Sequence, residues 1–282
     1  MKIKQKTAIA YLRLKLKLIA FFSKKKAAAT AFQVFCTPSK NALKEVPAIF
    51  TKGEKTSFTL NGTTIRGYKW NAPHQKKILI LHGYSSSSFR FHHFVQPFID
   101  KGFEVLAFDA PGHGESDGTT INAVIYREMV KEIMNQYGTI HYFLAHSFGG
   151  LALSLALEQM PHDENTKAVF IAPATEITTA IDDYLKLLGV TNKRVKDEFN
   201  NIIFGIEGNK TEWYSMRRVM HTIKATILWI HDEDDENTPL SDALPIQQDN
   251  LPNIKFVITK GLGHRMIYRD EAIKNMVVDF LS

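Results

Sequence analysis

An α/β fold, with a mostly parallel central sheet and helices on both faces, is predicted by three observations. Short apolar runs alternate with helical patterns from about residue 56 onward. Most of those runs are apolar throughout rather than at every second position, as strands buried on both faces require. A chain of 282 residues is also long enough to bury the core of one large domain.

Residues 1–50 form a basic N-terminal arm. Residues 1–44 hold eleven Lys and Arg and no Asp or Glu, so the rest of the chain is slightly acidic despite a net charge of +6. The high charge therefore belongs to the arm and gives no ground for nucleic-acid binding by the core. Its apolar runs are too short to span a membrane, which takes about 20 residues. Arg13, Lys15 and Lys17 fall where the apolar core of a signal peptide would lie. Leu12, Leu16 and Ile19 share a helical face, good helix formers follow over 27–35, and Pro38 supplies a stop, so a helix is predicted. Three roles stay open for it: packing on the domain or a second subunit, peripheral contact with anionic lipid, or a leader. The expected location is cytoplasmic, with or without such a peripheral membrane contact.

Residues 51–282 read as the main domain. Ser57–Leu60 and Thr64–Trp70 flank Asn61-Gly62, a strong hairpin signal. Strands follow at Lys77–His82, Phe103–Phe108, Ile140–Ala145, Ala168–Ala172, Thr226–His231 and Ile254–Thr259. Helices are predicted over His92–Asp100, Thr119–Tyr137, Ser147–Met160 and Arg269–Leu281. Between Pro173 and Thr226 lies a stretch too long for an ordinary connection, loaded with Tyr184, Leu185, Leu188, Phe199, Phe204, Trp213 and Tyr214. It is expected to be a helical cap insertion over about 175–224, set at one end of the sheet, with most of these side chains in the cap's own core.

Function concentrates in HYFLAHSFGGLALSLALEQM, residues 141–160. A buried strand runs into a turn of small residues at Ser147 and then into a helix, which is the geometry of the nucleophile elbow G-x-S-x-G. Alanine at 145 replaces the first glycine of Ala145-His146-Ser147-Phe148-Gly149. Two further strand ends lead into chemistry-bearing loops: TILWIHDEDDENTP at 226–239 and TKGLGHRMI at 259–267. Parallel sheets place their sites at such strand ends. Serine, acid and histidine thus occur in the chain order Ser, Asp, His.

On these residues, about 56–282 resemble the α/β-hydrolase superfamily, specifically its serine-nucleophile esterases and lipases. LHGYSSS at 81–87 matches the superfamily's HG turn, and AFDAPGHGES at 107–116 is similar to its D-x-x-G-x-G-x-S loop. The resemblance implies an α/β-hydrolase fold with a Ser-His-Asp triad. The acid pattern H-G-x-x-D-x-x-x-P places Asp235 as the acid, with Asp232 where glycine is usual. Asp234 is the second candidate and Glu176 a remote third. His264 is the expected base and Ser147 the nucleophile. The backbone N–H groups of Tyr84 and Phe148 are the expected oxyanion donors.

The implied activity is hydrolysis of a carboxylic ester of a small to medium, apolar acyl substrate. Rival readings are thioester or C–C hydrolysis, acyl transfer, and a non-catalytic ligand-binding protein of the same fold. Serine at the nucleophile position argues against the epoxide hydrolase and dehalogenase branches. No metal or organic cofactor is implied: one cysteine, Cys36, makes no disulfide or zinc cluster, and the acidic run 232–236 lacks EF-hand spacing. His82, Asp109, His113 and Ser116 are expected to shape their turns, His146 to line or pack the site, and His92-His93 to lie on a helix surface.

Overall fold

The computed structural model describes residues 3–39 and 45–282. Eight strands form one sheet: β1 (Glu54–Leu60), β2 (Thr63–Trp70), β3 (Lys77–Leu81), β4 (Glu104–Phe108), β5 (Tyr142–His146), β6 (Lys167–Ile171), β7 (Thr226–Asp232) and β8 (Ile254–Thr259). Their spatial order is β1-β2-β4-β3-β5-β6-β7-β8, with β2 antiparallel to both of its neighbours, β1 and β4, and the remaining pairings parallel. The predicted hairpin forms, with Leu60 opposite Thr63. Asn61 and Gly62 both take positive φ (48° and 79°), as a two-residue hairpin turn demands. Every residue of β4 is buried, as are all but the first of β5, β6 and β7. The edge strand β8 stays half-exposed.

Twelve helices accompany the sheet among the described residues: α1 (Ile3–Phe22), α2 (Lys24–Phe35), α3 (Ala48–Thr51), α4 (His92–Asp100), α5 (Ala123–Tyr137), α6 (Phe148–Leu157), α7 (Ile177–Leu187), α8 (Lys193–Glu207), α9 (Met216–Met220), α10 (Leu240–Gln248), α11 (Gly263–Met266) and α12 (Glu271–Leu281). Several predicted boundaries move to a cap. The helix expected from Thr119 starts at Ala123, where the Asn122 side chain accepts from the Ile125 N–H at 2.9 Å. The last helix starts at Glu271 behind Asp270, which caps Ile273 in the same way. Helix α10, with Pro245 inside it, is not among the predicted helices. All ten residues of α6 are buried, which explains its apolar and small-residue composition; its one polar side chain, Ser154, donates to Leu151 O at 2.8 Å.

The chain separates into two compact units, divided differently from the expected boundary at 50/51. One joins the residues through Thr37 to Glu176–Ser215; the other comprises Pro38–Thr175 and Met216–Ser282. The physical reason lies in α2. Ala27, Ala28 and Ala31 are buried, and Phe32 and Phe35 pack edge-on against Phe199 of α8 at 5.4 and 5.9 Å. The Tyr184 ring of α7 lies tilted against Phe35 at 5.0 Å, and its hydroxyl donates to the Ala31 carbonyl at 3.0 Å. The aromatic residues of the insertion are therefore covered in part by the arm. Residues 216–224, expected inside the insertion, belong to the unit that carries the sheet. Lys2, Lys40 and Lys44 of the basic arm lie outside the described residues. No helix among the described residues is long and apolar enough to cross a membrane.

Candidate active site

Strand β5 ends at His146, and α6 begins at Phe148, leaving Ser147 alone at the turn. Its backbone has φ 54° and ψ −123°, a conformation that costs a non-glycine residue about 1–3 kcal/mol. Neighbouring hydrogen bonds hold it there. The Ser147 N–H donates to Ile171 O at 3.1 Å, and its carbonyl accepts from Gly150 and Ala174 N–H at 2.9 and 3.0 Å. Close approach dictates two glycines. A Cβ on Gly149 would stand 2.7 Å from His82 O, and one on Gly83 would stand 2.9 Å from Ser147 Cβ. Ala145, in place of the usual first glycine, is fully buried without preventing the turn.

The loops after β7 and β8 bring the other two predicted side chains to this serine. His264 Nε2 lies 3.1 Å from Ser147 Oγ, and His264 Nδ1 lies 2.8 Å from Asp235 Oδ2. Such spacing lets Nδ1–H donate to the carboxylate while Nε2 accepts from the hydroxyl. Asp235 also accepts from Asn237 and Thr238 N–H at 2.8 and 3.0 Å and from the Thr238 hydroxyl at 2.9 Å. Burial alone would raise its pKa, but the bonds from His264, Thr238 and Asn237 outweigh burial and hold it below the usual value. Asp234 accepts from Gly261 N–H at 3.0 Å instead, and Glu176 accepts from the Ser215 hydroxyl at 2.6 Å.

Asp232 proves more than a substitution for glycine. Its carboxylate accepts from Thr259 Oγ1 (2.7 Å), Leu262 N–H (3.1 Å), Gly263 N–H (2.9 Å) and Asp234 N–H (3.0 Å). Burial pushes its pKa up, and these four bonds more than reverse that. The residue thus ties the loop holding Asp235 to the loop holding His264. Thr238 is a second positioning residue missed from sequence: its hydroxyl lies 3.1 Å from both His264 Nδ1 and Ala172 O. Asp232 was visible as a departure from pattern, whereas nothing in the sequence singled out Thr238.

Four histidines near the site are buried and held neutral. His82 donates from Nδ1 to Gly83 O at 2.8 Å and accepts at Nε2 from Ala110 N–H at 3.0 Å; burial lowers it to about 4. His113 donates to Pro111 O and accepts from Ser85 N–H at 2.9 Å; burial lowers it to about 3. Together with Asp109, which accepts from Ser88 and Glu115 N–H at 2.7 and 2.8 Å, they lock the 82–88 turn to the 109–116 loop. Ser116, which donates to Asp109 O at 2.6 Å, completes that loop. His146 donates from Nε2 to the His264 carbonyl at 3.1 Å, and burial beside His264 lowers it to about 3. His231 donates to Thr238 O at 2.7 Å and is lowered by burial as well. His93, expected on a helix surface, instead donates to Tyr268 O at 2.6 Å and is largely covered.

Phe148 opens α6 directly after Ser147, and Tyr84 follows Gly83, whose backbone lies against that serine. Their rings meet edge to face at 6.1 Å. Cys36 offers no competing nucleophile, because burial pushes its thiol up to about 12. The arrangement can deprotonate one hydroxyl and stabilise the imidazolium that results.

Comparison with known proteins agrees with this architecture. The family model described as Hydrolase_4, serine aminopeptidase, S33, matches residues 72–227, more than half of the chain. The uncharacterized protein YqkD of Bacillus subtilis (strain 168) is 24% identical over 252 residues, covering 78% of this chain and 76% of that protein. An uncharacterized abhydrolase domain-containing protein of Dictyostelium discoideum is 33% identical over 91 residues, 30% of this chain, which spans only 10% of that protein. Among solved structures, an esterase of Pyrococcus furiosus superposes with a TM-score of 0.64 at 17% identity, covering 87% of this chain and 97% of that one. Identity that low shows the fold alone. The family match does more, and by it the chain belongs to the Hydrolase_4 (serine aminopeptidase, S33) family and is an α/β-hydrolase enzyme.

Proposed function

We propose that this enzyme cleaves a carboxylic ester of a small to medium, apolar acyl group through an acyl-enzyme on Ser147. The observation that carries the proposal is the chain of contacts Asp235 Oδ2 to His264 Nδ1 (2.8 Å) and His264 Nε2 to Ser147 Oγ (3.1 Å). His264 takes the hydroxyl proton as Ser147 Oγ attacks the acyl carbon. Asp235, held ionised by its hydrogen bonds, fixes the Nδ1–H tautomer and stabilises the imidazolium. The backbone N–H groups of Phe148 and Tyr84 receive the charge on the former carbonyl oxygen; one such donor is worth about 3 kcal/mol. His264 then returns the proton to the leaving alcohol. Water, activated by the same imidazole, releases the acid and restores Ser147.

An ester is favoured over a peptide because the esterase of Pyrococcus furiosus shares this fold and near-complete coverage, which supports the reading without fixing a substrate. The test is a panel of p-nitrophenyl esters of graded chain length beside aminoacyl p-nitroanilides. Esters should be turned over and anilides left intact. A serine-directed phosphonate should label Ser147 and abolish turnover, and so should Ser147→Ala. Retained ester hydrolysis in Ser147→Ala refutes the proposal.

A further inference from the structure

Helix α1 is apolar on two opposite faces, and only one of them is covered. Leu16 is buried and Leu12, Ile19 and Ala20 are partly covered, so that face is occupied within the protein. Tyr11, Leu14, Leu18, Phe21 and Phe22 are 67%, 60%, 57%, 81% and 85% exposed. At 100° per residue these five fall within an arc of about 100°, a single continuous stripe. No other element of the described residues leaves so many large apolar side chains in solvent. Surface apolar residues scattered singly need no explanation, but a stripe of this kind marks an interaction surface.

Charge identifies what the stripe fits. Exposed Lys15 and Lys17 flank the stripe on α1, Arg13 lies further round with its Nε donating to Leu187 O at 2.8 Å, and Lys25 and Lys26 follow the end of the helix, where Phe21 and Phe22 stand. No acidic residue occurs before Glu45 to neutralise them. A second copy of the chain would bring the same cations against themselves. An apolar stripe bordered by uncompensated Lys and Arg is instead complementary to a bilayer surface with anionic headgroups, where the rings enter the interface and the cations meet the phosphates. The helix is too polar to span, which leaves it lying in the plane of the interface. We propose that α1 binds an anionic lipid surface through Tyr11, Leu14, Leu18, Phe21 and Phe22, with the flanking Lys and Arg supplying the headgroup selectivity.

The full chain is tested by co-sedimentation with vesicles of phosphatidylcholine alone and with an equimolar mixture of phosphatidylcholine and phosphatidylglycerol. Binding to the mixed vesicles should be at least about tenfold tighter and should weaken with added salt, since surface charges are screened within a Debye length. Phe21→Ser/Phe22→Ser should lower that binding by about tenfold or more, because apolar insertion is lost. Lys15→Glu/Lys17→Glu/Lys25→Glu should erase the preference between the two vesicles. Turnover of a soluble ester should be unchanged in each variant. Phe22→Ser alone, at the most exposed of these side chains, gives the same reading if a multiple variant fails to fold. Equal binding to both vesicles, or undiminished binding by Phe22→Ser, overturns the proposal. So does a wild-type dimer that Phe22→Ser converts to monomer without any vesicle binding, since the stripe would then be an interface between copies.

Discussion

Ser147 holds its strained backbone because three main-chain bonds, to Ile171, Gly150 and Ala174, leave no relaxed alternative. The consequence is a hydroxyl aimed at His264 before substrate arrives, the kind of preorganisation that lowers a barrier. The neighbouring carboxylates separate cleanly by partner. Asp235→Asn should lower kcat by about 10³–10⁴-fold, because an amide facing His264 favours the wrong tautomer. Asp234→Asn, whose carboxylate accepts from the Gly261 amide and faces Lys260 rather than His264, should cost less than about tenfold, with kcat on a p-nitrophenyl ester as the measurement. The reverse order would make Asp234 the acid. Asp232→Asn keeps the shape but surrenders acceptor capacity, leaving a partly buried N–H of Leu262 or Gly263 without its acceptor, at about 1 kcal/mol. It should also lower kcat by about 10–100-fold with little change in KM, since His264 drifts relative to Ser147. Steady-state kinetics alongside thermal denaturation separates the two effects.

At the scale of elements, the joining of α2 to α7 and α8 changes what the N-terminal arm is. A solvated extension could be removed freely, but α2 covers Phe199 and Tyr184. Phe199 is fully buried, and Phe199→Ala should destabilise this unit by about 3–5 kcal/mol. Amide exchange in Ala27–Phe35 should accelerate in that variant, read by hydrogen exchange with mass spectrometry. Unchanged protection would mean that α2 is held by something other than this aromatic contact.

For the whole molecule, the buried histidines make acid the relevant stress. His82, His113 and His146 are neutral when folded, lowered to about 4, 3 and 3 by burial. In the unfolded chain each binds a proton near pH 6.5, so below that value the unfolded state takes up protons the fold refuses. Stability is therefore intact above about pH 6.5 and falls as pH drops toward 4, by up to about 1.4 kcal/mol per unit for each histidine. The melting temperature should decline steeply between pH 7 and 5, and His113→Gln should flatten that slope. An unchanged slope in the variant would show that His113 takes up its proton without unfolding.

What could be read from the chain alone follows from chemistry that is local. Alternating apolar runs announced the sheet, Asn61-Gly62 its hairpin, and the small residues around Ser147 the sharp turn, because each depends on backbone preference and burial over a few neighbours. Asp235 and His264 were legible through resemblance and order. Their meeting with Ser147 was not, since residues 117 and 29 positions apart converge only through the register of β5, β7 and β8. The roles of Asp232 and Thr238, the neutral state of His113 and the attachment of α2 to α8 were likewise decided by the tertiary structure. A hydrogen bond or a buried ring takes its value from which distant group occupies the last few ångströms, and no local pattern records that.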